Sequence, residues 1–197
     1  MRPFPVPDKS ALDTFLADLE ALFKEMDAAY DTVSRQYGFL CQGCTDNCCE
    51  TRFYHHTLLE YLYLKAGMRT LPPQVQDEVL ERACQVNRKM ADAADESVRI
   101  LCPLNQGSRC RLYGYRPMIC RLHGIAHELR RPDGKILHQP GCDAFLNHCQ
   151  KLGKTDYIPF DRTPFYRKMA ALEQALRQQS QYREKIRMTI SQILVCP

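Results

Sequence analysis

What this 197-residue chain lacks narrows it before any motif does. No stretch approaches the ~20 consecutive apolar residues of a membrane-spanning helix. The opening "MRPFPVPDKSALDTF" puts three prolines in seven residues, where a secretory signal carries a continuous apolar run and a small-residue cleavage site. The expected compartment is the cytoplasm, where thiols are kept reduced and a disulfide framework does not persist. No run of five or more basic residues occurs and the net charge is a modest +4, so composition gives nucleic-acid binding no support. Gly-rich nucleotide loops, internal repeats and low-complexity segments are missing too. Acidic residues are missing from one particular place, since Ser97 to His127 contains neither Asp nor Glu.

Cysteine, by contrast, is abundant, with eleven in the chain. An odd number leaves one thiol over in any complete pairing, and clustering at short spacing in a reducing cell points to metal ligands or redox centres. The length suits one domain over 1–197, because two halves would each bury little.

Apolar periodicity outlines a mainly α fold, a helical bundle-like scaffold around a turn-rich cysteine region with a small β-hairpin. Residues 8–35 carry Leu12, Phe15, Leu19, Leu22, Phe23, Met26 and Tyr30 at three- and four-residue steps, the signature of an amphipathic helix, with Asp8 or Ser10 as cap. A shorter helix is expected over 57–65, with Gly67 near its end, and a third from Pro72–Pro73 to about Val98. A flanking helix over 163–195 is expected to open with Thr163 as cap and Pro164 at its first position. Its seam runs from Phe165 to Ile193 with Gln179 and Arg183 in the middle, which favours packing on the first helix over a coiled-coil dimer. Residues 99–150 are rich in turns, and "ELRRPDGKILHQ" reads as two strands around Pro132-Asp133-Gly134.

The chemistry-bearing residues fall in 41–145. "CQGCTDNCC" sets Cys41, Cys44 and Cys48 at C-x2-C-x3-C with Cys49 adjacent, and either a helix or a knuckle turn would make the first three converge. Adjacent Cys48 and Cys49 point apart, so Cys49 serves a second site or the core. Cys102, Cys110 and Cys120 follow in a turn-rich run, then Cys142 and Cys149. Ligands from distant segments are usual for metal sites, which staple chain and contribute folding energy. Arg52, Arg109, Arg111, Arg116 and Arg121 lie beside or close to cysteines, and such a field is expected to offset thiolate charge and lower thiol pKa values. Cys84 and Cys196 stand alone and read as inert small hydrophobes. His123, His127, His138 and His148, with His55 and His56, read first as hydrogen-bonding or surface residues, with imidazole ligation as the alternative.

"CQGCTDNCC", "CPL" and "CRLYGYRPMICR" together resemble the CxxCxxCC family, small bacterial and archaeal zinc- or iron-chelating domains of the YkgJ type, and are distantly similar to flagellin lysine N-methylases. The resemblance covers about 41–145 and carries over Cys41, Cys44, Cys48, Cys49, Cys102, Cys110, Cys120 and Arg121, with Cys142 in "PGC" as the late cysteine. Three residues separate Cys44 from Cys48 here, where the family's name has two. The resemblance implies metal binding, as zinc or an iron–sulfur cluster, without supplying a reaction or catalytic residues. Two further readings are an iron–sulfur-dependent methyl transfer to protein lysine, implied by the methylase resemblance alone, and a thiol redox or metal sensor. The expected partner is a metal ion.

Overall fold

A computed structural model describes residues 4, 7–41, 48–95 and 97–196, Cys48 by its backbone only. Among them are seven α-helices and two small antiparallel hairpins, the mainly α architecture with a β-hairpin that the periodicity implies. No helix among the described residues is long and apolar enough to cross a membrane.

The first helix, α1 (Lys9–Tyr37), starts where the Asp8 carboxylate accepts the Ala11 N–H (3.0 Å) and satisfies one orphan donor of the first turn. It ends at Gly38, whose positive φ of 66° lets its N–H return to Arg35 and Ser34, a geometry that disfavours residues with a Cβ. The buried stripe Leu19, Leu22, Phe23, Met26 and Tyr30 is the one the sequence predicts. Helix α2 (Leu58–Arg69) is capped by Thr57 and buried on every side, with 58–64 continuously inaccessible. A helix apolar all round belongs in an interior. Here α1, α6 (Thr163–Ser180) and α7 (Ile190–Val195) pack against it. Helix α3 (Pro73–Asp92) covers α7 through Val79, Ala83 and Val86.

Three expectations are corrected. Helix α2 runs on to Arg69, past the expected end at 65, and Gly67 near that end is where a Cβ would overlap the Tyr115 ring. The third helix stops at Asp92 rather than running to Val98. The long C-terminal helix breaks after Ser180, where Gln181 takes a left-handed φ of 55°. The polar run around Gln179 and Arg183 has no apolar stripe to bury. Beyond it Ile186 and Met188 go inside as extended chain, with His55 N–H donating to Met188 O (2.7 Å) and Met188 N–H to His55 O (3.1 Å). A capping box of Thr189 and Gln192 then starts α7. As expected, α6 lies along α1. The expected Thr163 cap is also corrected: Arg162 takes the cap position, Thr163 is the first helical residue and Pro164 the second, and the Thr163 hydroxyl accepts the Arg130 N–H (2.8 Å).

The segment between α3 and α6 has little periodicity and still holds two short helices, α4 (Met118–Leu122) and α5 (Asp143–Lys151). It also holds β1 (Asn105–Gln106) paired with β2 (Arg109–Cys110), and β3 (His127–Arg130) paired with β4 (Ile136–Gln139). The latter pair is the expected hairpin around Pro132-Asp133-Gly134.

Candidate metal centre

The frame fixes the cysteine region through individual side chains. Glu60 on α2 accepts the Met118 N–H (2.8 Å) and so caps α4, the helix that carries Cys120. Tyr63, one turn along α2, donates to Gly114 O (3.1 Å) and stacks near Tyr115, with ring centroids 4.9 Å apart. Arg121 is buried over the Phe23 ring (4.3 Å). It pairs with Asp27 of α1 (2.6 Å) and donates to Arg116 O (2.8 Å) and Gly114 O. Arg121 is therefore a staple between α1 and the 114–116 turn.

Cys110 closes β2 opposite Asn105, across a two-residue turn in which Gly107 (φ 57°) and Ser108 (φ 62°) are both left-handed. Such turns match the natural twist of a hairpin. The hairpin folds back to Cys102, whose carbonyl accepts the Asn105 N–H (2.9 Å). Cys102 N–H in turn donates to Cys49 O (2.8 Å), and Ile100 N–H to Glu50 O (3.2 Å), so the end of the first cysteine motif is laced to the second. Cys49 follows Cys48 in a short 3₁₀ turn, Cys48–Glu50.

Three chain segments thus deliver Cys49, Cys102, Cys110 and Cys120 to one neighbourhood, and their electrostatics record it. Burial pushes the Cys102 thiol up to about 12, and the charges of Cys110 and Cys49 act in the same direction. Burial likewise raises Cys110, with Cys49 adding to it. Cys120 is raised too, by burial first and then by Cys102, Cys110 and Cys49. The expectation that neighbouring arginines lower these pKa values is overturned. Desolvation outweighs the cations, and two of those arginines face carboxylates, Arg111 with Glu78 (3.0 Å) and Arg121 with Asp27.

Among the described residues no three His, Cys, Asp or Glu side chains are set as a metal-ion site; the four thiols are neighbours within electrostatic reach rather than a closed cage. Residues 42–47, with Cys44, and the Cys48 side chain lie outside the description. Cys41 is exposed just beyond α1. Cys142 occupies the N-cap of α5, with its N–H on Gly124 O (2.8 Å), beside the hairpin rather than in the 49–120 group. Cys149 lies on α5 near Tyr37 and Lys154.

The histidines take hydrogen-bonding or packing places. His148 Nε2 meets Tyr37 O (3.1 Å), and His127 Nδ1 meets Ile125 O (3.2 Å), with burial holding the His127 pKa down at about 4. His123 packs edge-on to Phe53. His55 is buried between two cavities, one of about 30 Å³ shared with Cys49 and Cys102 and one of about 720 Å³ between α2 and α6. The larger cavity is walled by Glu60 and Glu173, and both carboxylates are engaged. Glu173 accepts the Leu58 and Leu59 N–H groups (2.8 and 2.9 Å) and pairs with Arg177.

Sequence reasoning missed Glu60 and Arg82. Glu60 had a partial signal, a Thr57-x-x-Glu60 cap pattern, but its reach to Met118 spans 58 positions. Arg82 sits on the unremarkable face of α3, donates to Asn105 O (3.1 Å) and acts electrostatically on Cys102. No family model matches the chain, and neither a curated protein nor a solved structure matches it.

Proposed function

We propose that this chain is a cysteine-cluster metal-binding protein of the CxxCxxCC type. Cys49, Cys102, Cys110 and Cys120 form the nucleus of a four-thiolate centre that takes zinc or an iron–sulfur cluster, and Cys41, Cys44 and Cys48 in the adjoining segment are ligand candidates for a second site. Cys142 stands as a peripheral candidate at the hairpin exit.

The observation that carries this reading is the gathering of four cysteines, Cys49, Cys102, Cys110 and Cys120, from three segments into one neighbourhood. Both metals suit thiolates. Burial of these thiols weighs against redox sensing. Buried thiols stay protonated at neutral pH and are poor nucleophiles, whereas a bound metal takes the thiolate and releases the proton.

The test is elemental analysis with an absorption spectrum on protein purified without air. Near-stoichiometric iron with brown visible absorption assigns a cluster, and colourless protein with near-stoichiometric zinc assigns a zinc site. Protein purified with neither metal, and taking up neither on reconstitution, contradicts the reading.

A further inference from the structure

A centre of several thiolates around one divalent ion carries net negative charge that its surroundings must offset. Of the arginines near cysteines in sequence, Arg111 and Arg121 are neutralised by Glu78 and Asp27. Arg116 lies over the exposed Tyr113 ring (3.6 Å), and Arg109 is exposed.

Arg111 keeps a buried, unpartnered Nε as well, but its charge is met by Glu78; two others have such groups and no ion pair among the described residues. Arg52 has its Nε and Nη2 buried without a hydrogen-bond partner among the described residues, and Arg82 has its Nη2 in the same condition. Arg52 lines the 30 Å³ cavity together with Cys49 and Cys102. That space holds about one small atom or water. Its described lining contains no Asp or Glu, and His55, whose Nε2 is buried without a partner, lines both this space and the larger cavity. The carboxylate that Arg52's charge reaches, Asp95, is fully exposed and held by the Ser97 N–H (2.6 Å) and hydroxyl. Arg82 is anchored from α3 by Nη1 on Asn105 O and by Nε on Glu78 O (3.4 Å). Burying N–H groups of a permanent cation without acceptors is costly, and thiolate acceptors in the loaded centre would remove that cost.

We propose that Arg52 and Arg82 are the outer-sphere donors of the cysteine centre, their unpartnered N–H groups serving the sulfurs of Cys49 and Cys102 when those become thiolates. The inference rests on the metal-binding reading above. It assigns these two arginines a positioning and charge-balancing role. Second-shell partners of this kind are typically worth 10–100-fold in metal affinity.

The test uses cobalt(II) as probe with full-length metal-free protein, read by the sulfur-to-cobalt charge-transfer band and by chelator competition. Arg52→Gln and Arg82→Gln are each expected to weaken cobalt binding at least about tenfold. Loss of N–H donation to sulfur also moves the charge-transfer band to lower energy. Arg52→Lys and Arg82→Lys, which keep the charge and lose the fork, recover part of the affinity. Arg109→Gln, next to Cys110 but exposed, stays within about twofold of the parent.

The band shift separates this role from a merely structural one, because loosening of the fold lowers affinity without moving the band of an unchanged ligand set. If either Gln variant does not fold, the Lys variant at that position carries the same band comparison. Wild-type affinity and band position in the Arg52 and Arg82 variants overturn the inference and leave the metal reading standing. A parent protein with no sulfur-to-cobalt band overturns both.

Discussion

The helical frame and the cysteine region are held together by different physics. In the frame, α2 is enclosed by α1, α6 and α7, and Leu58, Leu59 and Leu64 have no accessible surface. Its order comes from apolar burial and needs nothing from outside the chain. In the region from Cys102 to Leu122 the elements are two to five residues long, too short to be stable alone. Single side chains of the frame hold them: Glu60 on Met118, Tyr63 on Gly114, Asp27 on Arg121 and Arg82 on Asn105. The frame dictates its own structure, while the cysteine region takes its order from the frame and, on the reading proposed above, from a metal.

Several substitutions sharpen that contrast. The largest effect belongs to the frame. Leu59→Ala, at a site with no exposure, is expected to cost about 2–5 kcal/mol, seen as a lower urea midpoint with and without metal. Glu60→Ala is expected to cost about 1–3 kcal/mol and to act locally. Hydrogen exchange should show faster exchange at Met118 and through α4 while α1 and α6 keep their protection. Uniform loss of protection across the molecule would show that the two regions are not separable.

Much of the frame was legible in the sequence, because long amphipathic helices repeat their signal over many turns. The α1 stripe is plain in the spacing of Leu19, Leu22, Phe23 and Met26, and of the two cap candidates, Asp8 and Ser10, Asp8 is the one used. The break after Ser180 was not, since the seam from Phe165 to Ile193 keeps its spacing across Gln179 and Arg183. There Ile186 and Met188 go inside as extended chain, with Met188 bridged to His55. Within the site, the cysteines announced themselves by clustering and by the family-like segments. Their supports did not, because Glu60, Asp27 and Arg82 reach across 23 to 94 positions, and no local pattern encodes such contacts. Thiol acidity was misread for a related reason: sequence shows which arginines are neighbours, but not which are paired or how deep the sulfurs lie.

A smaller effect concerns pH. The Cys102 thiol rises from its ordinary 9.0 to about 12 in the folded chain. An acid group whose folded pKa is raised contributes stability fully present below its unfolded value and lost as pH climbs toward the folded one. Metal-free protein is therefore expected to weaken between about pH 9 and about pH 12, and less so with Cys102→Ala. Urea melts at about pH 8 and about pH 10.5 check this; equal dependence in parent and variant would contradict it. The least effect on stability, and a direct one on reactivity, is in alkylation. In metal-free protein at neutral pH, exposed Cys41 and Cys84 should label well before Cys102, Cys110 and Cys120. Mass mapping of the time course reads the order, and equal rates would mean the thiols are not buried together.

The most direct measurement is X-ray absorption at the metal edge of loaded protein, in the parent and in Cys110→Ser and Cys120→Ser. A first shell of sulfur near 2.3 Å, losing sulfur in each variant while Cys84→Ser leaves it unchanged, is the expected result. A shell of nitrogen and oxygen alone at about 2.0–2.2 Å, indifferent to Cys110 and Cys120, would contradict convergence of these cysteines on one metal.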